Sequence, residues 1–140
     1  MGSPAQGPSY PSSMADTASV RISWEGVRLT VHSAGDCEVA WVLALIDRVA
    51  DAATSTPTRS VLVDVTALQV TLTDLDRYNI GMQVARRWRG VPYAMVAAPE
   101  VVDPRRFGEM VARNRGVHGQ VFTDRAEALR WLDEQHPHFL

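Results

Sequence analysis

The sequence predicts an α/β domain in which an N-terminal β-hairpin is followed by alternating β-α units, giving a mixed, mainly parallel sheet with packed helices. Three observations carry this expectation. Two segments, around residues 20–24 and 27–31, alternate apolar and polar residues on either side of a glycine. Two later runs, Ser60–Val65 and Val91–Ala97, are nearly continuously apolar, the pattern of strands buried on both faces. Between and after these runs, apolar residues recur at helical spacing.

In order along the chain, Val20-Arg21-Ile22-Ser23-Trp24 and Val27-Arg28-Leu29-Thr30-Val31 each place every second residue on one face, and Glu25-Gly26 marks the turn joining them. From Asp36 the period lengthens: Val39, Val42, Leu43, Ile46, Val49 and Ala50 form one stripe of a helix over residues 37–53, with Asp36 placed to cap it. Ser60–Val65 is the central strand. The next helix begins at Thr73, whose hydroxyl can cap; Asp74 and Asp76 fall in its first turn, and Arg86, Arg87 and Arg89 lie near its end before Gly90, so both ends complement the helix dipole. Val91–Ala97 is a further strand. Asp103-Pro104 reads as an N-cap followed by proline, opening a helix that runs through Phe107, Met110 and Val111 and stops at Gly116. Gln120-Val121-Phe122 forms a last strand, and Thr123 or Asp124 caps a final helix through Leu132.

Residues 1–18, dominated by Gly, Pro, Ser and Ala, have almost nothing to bury and are expected to form a flexible tail; the domain spans residues 19–135, and 136–140 fray. Of 140 residues, 46% are hydrophobic and 21% charged, a balance that supports a folded core and excludes disorder of the whole chain. All 14 basic residues are arginine. Without lysine, Schiff-base chemistry and a P-loop are excluded. The single cysteine, Cys37, cannot close an intramolecular disulfide, which points to a reducing compartment. No apolar run approaches the roughly 20 residues of a membrane span, and no secretory signal is visible, so a cytoplasmic location is expected.

Catalytic signatures are absent. Asp74 and Asp76, two apart on a helix, do not face one another as an acid/base pair would. Cys37 beside a helix N-terminus could have a lowered pKa, but a small buried residue is the plainer interpretation. His136-Pro137-His138 lacks further ligands at metal spacing, and neither a metal nor another cofactor is expected. Eight of the arginines lie between Arg77 and Arg115 against Glu100, Asp103 and Glu109, a local charge of +5 that would suit an acidic partner or an anionic lipid surface. Nucleic acid is not expected, because no recognition module accompanies this charge.

Ligands of open α/β sheets bind beyond the carboxyl ends of the strands. Here these ends lead into residues 65–73 and 97–105. The first stretch alternates Leu68, Val70 and Leu72 with polar residues, so it can pack down, face a partner or line an apolar pocket with Tyr78, Met82, Met95 and Phe107 nearby. The candidate binding residues are Asp64, Thr66, Leu68, Thr71, Thr73, Asp74, Tyr78, Pro99 and Arg105.

Val61-Leu62-Val63-Asp64-Val65-Thr66, the helix Asp76-Arg77-Tyr78-Asn79-Ile80-Gly81, and the C-terminal segments Phe107–Gly116, Val121–Asp124 and Glu127–Leu132 together resemble the SpoIIAA-like STAS family, especially its stand-alone, largely uncharacterised bacterial branch. The resemblance covers residues 20–134 and implies the fold of anti-sigma-factor antagonists. Signalling members carry an Asp-Ser-Ser-Gly motif whose second serine is phosphorylated. Here Leu72, Thr73 and Asp74 lie against Asp-Ser-Ser, so an acid occupies the acceptor position. A carboxylate carries one charge where a phosphate carries up to about two, so Asp74 could at most imitate the modified state. The alternative assigns Asp74 to the helix dipole, and phosphorylation of Thr71 or Thr73 stays open. Together with the two loops at the strand ends, this resemblance points to a non-enzymatic STAS-like module that binds a protein partner or a small apolar or lipid-like ligand through those loops; a homodimer is possible. The alternatives are a small enzyme using Asp64, Thr73, Asp74 and Arg105 in the same cleft, or an antagonist-type regulator.

Overall fold

A computed structural model describes residues 17–135; the expected tail, apart from Thr17 and Ala18, and the segment holding His136 and His138 lie outside the described residues. The chain runs β1 (Ser19–Glu25), β2 (Arg28–Asp36), α1 (Val39–Ser55), β3 (Ser60–Gln69), α2 (Asp74–Arg87), β4 (Tyr93–Val96), α3 (Phe107–Asn114), β5 (Gly119–Phe122) and α4 (Arg125–Gln135). The strands form one sheet in the order β1-β2-β3-β4-β5, with β1 antiparallel to β2 and every other pair parallel. The hairpin turns at Gly26, whose φ of 65° suits a residue without a Cβ.

Residue parity divides the core between the two faces of the sheet. On one face Leu29, Val31, Val61, Val63 and Tyr93 meet Ile46 and Val49 of α1, Val84 and Ala85 of α2, and Ala112 of α3. Trp88, just past α2, stacks on Tyr93 with ring centroids 4.7 Å apart, and its Nε1 donates to the Ile46 carbonyl at 3.0 Å. On the other face Leu62, Ala94, Val96 and Phe122 pack under Ala128 and Leu132 of α4.

Helix ends follow the sequence closely in three cases. Thr73 and Asp76 form a reciprocal capping box at the start of α2. Asp124 accepts from the Glu127 N–H at 3.2 Å at the start of α4. At the end of α3, Gly116 has a φ of 98°, and the Val117→Ala112 and Gly116→Arg113 backbone bonds close a Schellman motif.

Other boundaries differ from expectation. Asp36 is the last residue of β2 rather than a helix cap: its N–H donates to Thr17 Oγ1 at 3.0 Å and its carbonyl accepts from the Thr17 N–H at 2.7 Å. Thr17, expected in the tail, is thereby tied to the sheet. Helix α1 begins at Val39, leaving Cys37 buried in the connection before it. Helix α3 begins at Phe107, not Pro104. Asp103 still caps it, accepting from the Phe107 N–H at 3.0 Å across a turn in which Arg106 adopts a left-handed φ of 53°.

The largest difference lies in the central strand, which continues to Gln69 instead of ending at Val65. Between the pairs His32↔Asp64 and Ala34↔Ala67, β3 spends one residue more than β2, a bulge that reverses the parity of its side chains. Val61, Val63 and Val65 face the α1–α3 side before the bulge; Leu68 faces the same side after it, followed by Val70 and Leu72.

Candidate functional site

The re-aimed residues line an apolar cavity of about 180 Å³ between the sheet and the helices of its first face. Its floor is Val63, Val65 and Leu68 of β3 with Tyr93 and Met95 of β4; its wall is Val42 and Ile46 of α1; Ile80, Gly81 and Val84 of α2 and Ala112 of α3 form its roof. Val70 and Leu72 on one connecting loop, and Val101 and Val102 on the other, close the end nearest the strand C-termini. Polar groups enter at the rim through Arg77, Asp103, Arg106, Glu109 and Arg113.

The roof stays together because α2 and α3 approach backbone to backbone. A Cβ at Gly81 would lie 2.6 Å from the Gly108 carbonyl oxygen, and one at Gly108 would lie 2.9 Å from the Arg77 carbonyl oxygen. Side chains at the rim then tie the loops. Arg77 donates to the Val101 carbonyl at 3.3 Å, and Arg105 bridges Asp74 at 2.6 Å, so both contacts tie the first turn of α2 to the β4–α3 loop. Arg106 donates to the Val121 carbonyl at 2.8 Å and pairs with Glu109 at 3.0 Å, while Glu109 accepts the Val121 N–H at 3.0 Å. Backbone bonds from Phe107 and Arg105, together with the Arg105 charge, outweigh desolvation and hold the Asp103 carboxyl below its ordinary pKa.

The candidate residues separate into three environments. Leu68 is buried in the cavity wall. Thr73, Asp74, Arg105 and Tyr78 come together on the outer rim, Tyr78 stacking on Phe107 with centroids 6.3 Å apart. Thr71 and Pro99 are exposed on the two loops. Asp64 and Thr66 belong to the opposite face. Asp64 accepts from both the N–H and the hydroxyl of Thr66 and from Arg125 Nη1 at 3.1 Å. Burial alone would raise its pKa, but the Thr66 and Arg125 hydrogen bonds, with a smaller contribution from His32, bring it below the ordinary carboxylate value. The Thr66 N–H lies at the bulge, so Asp64 satisfies a donor that the shifted ladder would otherwise strand. The four polar groups of the enzyme alternative thus do not share one cleft: Asp64 is separated from Thr73, Asp74 and Arg105 by the sheet.

Three rim residues, Arg77, Arg106 and Glu109, were not among the sequence candidates. Arg77, Arg106 and Glu109 were visible only as members of the charged segment 77–115, and the partners of Arg77 and Glu109, Val101 and Val121, lie 24 and 12 residues away. The positive charge of residues 77–115 is also less concentrated than its sequence suggests. Arg87 pairs with Asp47 at 3.4 Å and Asp51 at 2.6 Å on α1, and Arg105 pairs with Asp74, so carboxylates outside the segment answer part of it.

No family model and no curated protein sequence matches the chain. Solved structures do. An anti-sigma factor antagonist from Mycobacterium paratuberculosis superposes with a TM-score of 0.57 at 13% identity, covering 90% of this chain and 99% of its own. A DUF3478-family protein with a SpoIIAA-like fold from Shewanella loihica PV-4 matches at a TM-score of 0.47 and 16% identity, covering 82% and 93%. The chain shares the fold of the Mycobacterium paratuberculosis anti-sigma factor antagonist, the fold that the resemblance to SpoIIAA-like STAS proteins implied. Among the described residues, no helix is long and apolar enough to cross a membrane.

Proposed function

We propose that the chain is a non-enzymatic STAS-type module that takes a small apolar, lipid-like ligand into the cavity beneath α2 and α3. The observation that carries this reading is the cavity itself: about 180 Å³ of space walled by valine, leucine, isoleucine, methionine and aromatic side chains, with charge only at its rim. The space opens to solvent at its rim, and an apolar lining of this kind with a few polar groups at its mouth favours an apolar guest. Recognition then rests on shape and desolvation. The β3–α2 and β4–α3 loops form the entrance, and Leu68, Val70 and Leu72 contact the ligand.

The test is solvent extraction of the purified protein followed by mass spectrometry, alongside titration with a fluorescent apolar probe. A bound lipid-like species and saturable probe binding are expected. Ala112→Leu, which fills the roof, should abolish both while leaving the fold intact by circular dichroism. Failure of the wild-type protein to retain a ligand or bind the probe would overturn the proposal.

A second reading is favoured by a separate observation. Leu75, Tyr78 and Met110 are exposed large apolar side chains on α2 and α3, Leu75 with 66% of its surface open. Such residues suit a protein partner docking on the roof. The Mycobacterium neighbour is named as an anti-sigma factor antagonist, which supports a regulatory role of that type here. Asp74, at the acceptor position and engaged with Arg105, would then give this surface a permanent charge in place of a switchable phosphate.

A further inference from the structure

We propose that two copies of the chain pair edge to edge through β1, antiparallel about a two-fold axis at Ser23, to make one continuous sheet of ten strands. The two outer strands of the five-stranded sheet are β1 and β5, and they are treated differently. At β5 the outward backbone groups of Val121 are occupied: Glu109 takes its N–H and Arg106 donates to its carbonyl. Side chains reaching over an outer strand block the addition of another. No described residue covers β1 in this way.

The hairpin fixes which groups β1 presents. A two-residue turn at Gly26 and Val27 makes Glu25↔Arg28 the closing hydrogen-bonded pair, so the odd-numbered residues of β1 direct their backbone groups toward β2. Val20, Ile22 and Trp24 direct theirs outward. A second β1 can therefore pair with these even residues in a few registers, and their side chains distinguish them. Placing Ile22 opposite Trp24 of the second copy puts Arg21 opposite Glu25 on the other sheet face, and the two-fold repeats both pairs. Placing Ile22 opposite itself sets Arg21 against Ser23, and placing Trp24 opposite itself sets Glu25 against Ser23. Only the axis at Ser23 matches the charges. Arg21 and Glu25 are both exposed, and neither makes an ion pair with a described residue. On the helix-covered face, the same register joins the half-buried Ile22 and Trp24 to their counterparts and extends the first core cluster across the axis.

A seven-residue edge is a small contact, so the dimer should depend on concentration. Sedimentation velocity of the full chain over a concentration series should show monomer passing to dimer, and a monomer throughout would overturn the proposal. Arg21→Glu and Glu25→Arg each set like charges opposite one another twice, and each should weaken the dimer by roughly tenfold or more. Mixing the two variants should restore association as a heterodimer, because each then offers what the other lacks. Ser23→Cys should cross-link to a covalent dimer on mild oxidation, while the wild type, whose Cys37 is buried, should not. Charge reversals without effect on association, or a Ser23→Cys protein that stays uncrosslinked while folded by circular dichroism, would refute the register.

Discussion

Replacing Gly81 with alanine tests whether the α2–α3 contact holds the roof of the cavity. The new Cβ would stand 2.6 Å from the Gly108 carbonyl oxygen and 2.9 and 3.0 Å from Cβ and Cγ1 of Val111. The nearest of these is backbone, which cannot rotate aside as a side chain would. Helix α3 must shift instead, and its Arg106 and Glu109 contacts with β5 resist that shift. Two effects compete. Alanine is favoured over glycine within a helix by about 1 kcal/mol. Overpacking a close contact costs about 1–3 kcal/mol, and the backbone clash puts this site above the low end of that range. The net expectation is destabilisation of about 1 kcal/mol, or a fall in Tm of roughly 3–5 °C for a domain of this length. Thermal and urea melts would measure it, with Asn79→Ala on the exposed side of α2 as the comparison that gains propensity without a clash. Gly108→Ala strains the same seam from the other helix, meeting the Arg77 carbonyl at 2.9 Å. One displacement of α3 relieves both contacts, so the double variant should cost less than the sum of the singles. A Gly81→Ala protein that melts above wild type would show that α3 moves freely, and the reasoning would fail.

Asp64→Ala removes the acceptor of the Thr66 N–H at the bulge and leaves Arg125 without its partner, a loss of about 1–3 kcal/mol measurable by urea unfolding. Because the folded pKa of Asp64 lies below its unfolded value, its contribution is present above the ordinary carboxylate pKa and is lost as the pH falls through the folded value; Asp64→Asn should flatten that acid limb. Thr73→Ala, which breaks the capping box, should cost about 1 kcal/mol in thermal melts. At high pH the sign reverses: burial pushes the Tyr93 phenol up to about 12 against a smaller opposing effect of Arg87, so its contribution is complete below the unfolded tyrosine pKa and falls away as the pH rises toward 12. Tyr93→Phe should remove that alkaline loss, and an unchanged melting profile between pH 10 and 12 would contradict the burial argument.

The frame was legible because it rests on local signals. The alternating hairpin, the β-branched central strand, the Thr73 cap and Gly116 each act within a few residues, and each occurs where its chemistry requires. Periodicity failed at the bulge. The alternation of Leu68, Val70 and Leu72 was visible, but its phase is opposite to that of Val61, Val63 and Val65, so two alternating segments of one element looked like a strand and a loop. Asp103 likewise revealed the capping residue but not the helix start, because its carboxylate reaches across a turn with Arg106 in the left-handed region. The rim was least legible. Arg77, Arg106 and Glu109 act on backbone groups of distant segments, and no spacing rule connects them.

The bulge also explains why Asp64 and the cavity occur together although they lie on opposite faces. A strand that kept its parity would aim Ala67, Gln69 and Thr71 at the helices and leave Leu68, Val70 and Leu72 to water. One extra residue exchanges the two sets, at the cost of an unpaired backbone N–H at the shift. Asp64 supplies the acceptor for that N–H, and Arg125, at the first turn of α4, adds a further hydrogen bond to the carboxylate, although a cation there opposes the helix dipole. That unfavourable placement is consistent with a role fixed by Asp64 rather than by α4 itself. The polar cluster under α4 thus sets the phase of the strand, and the phase sets the apolar wall under α2 and α3. A residue of the binding-candidate set can therefore govern the cavity without touching anything inside it.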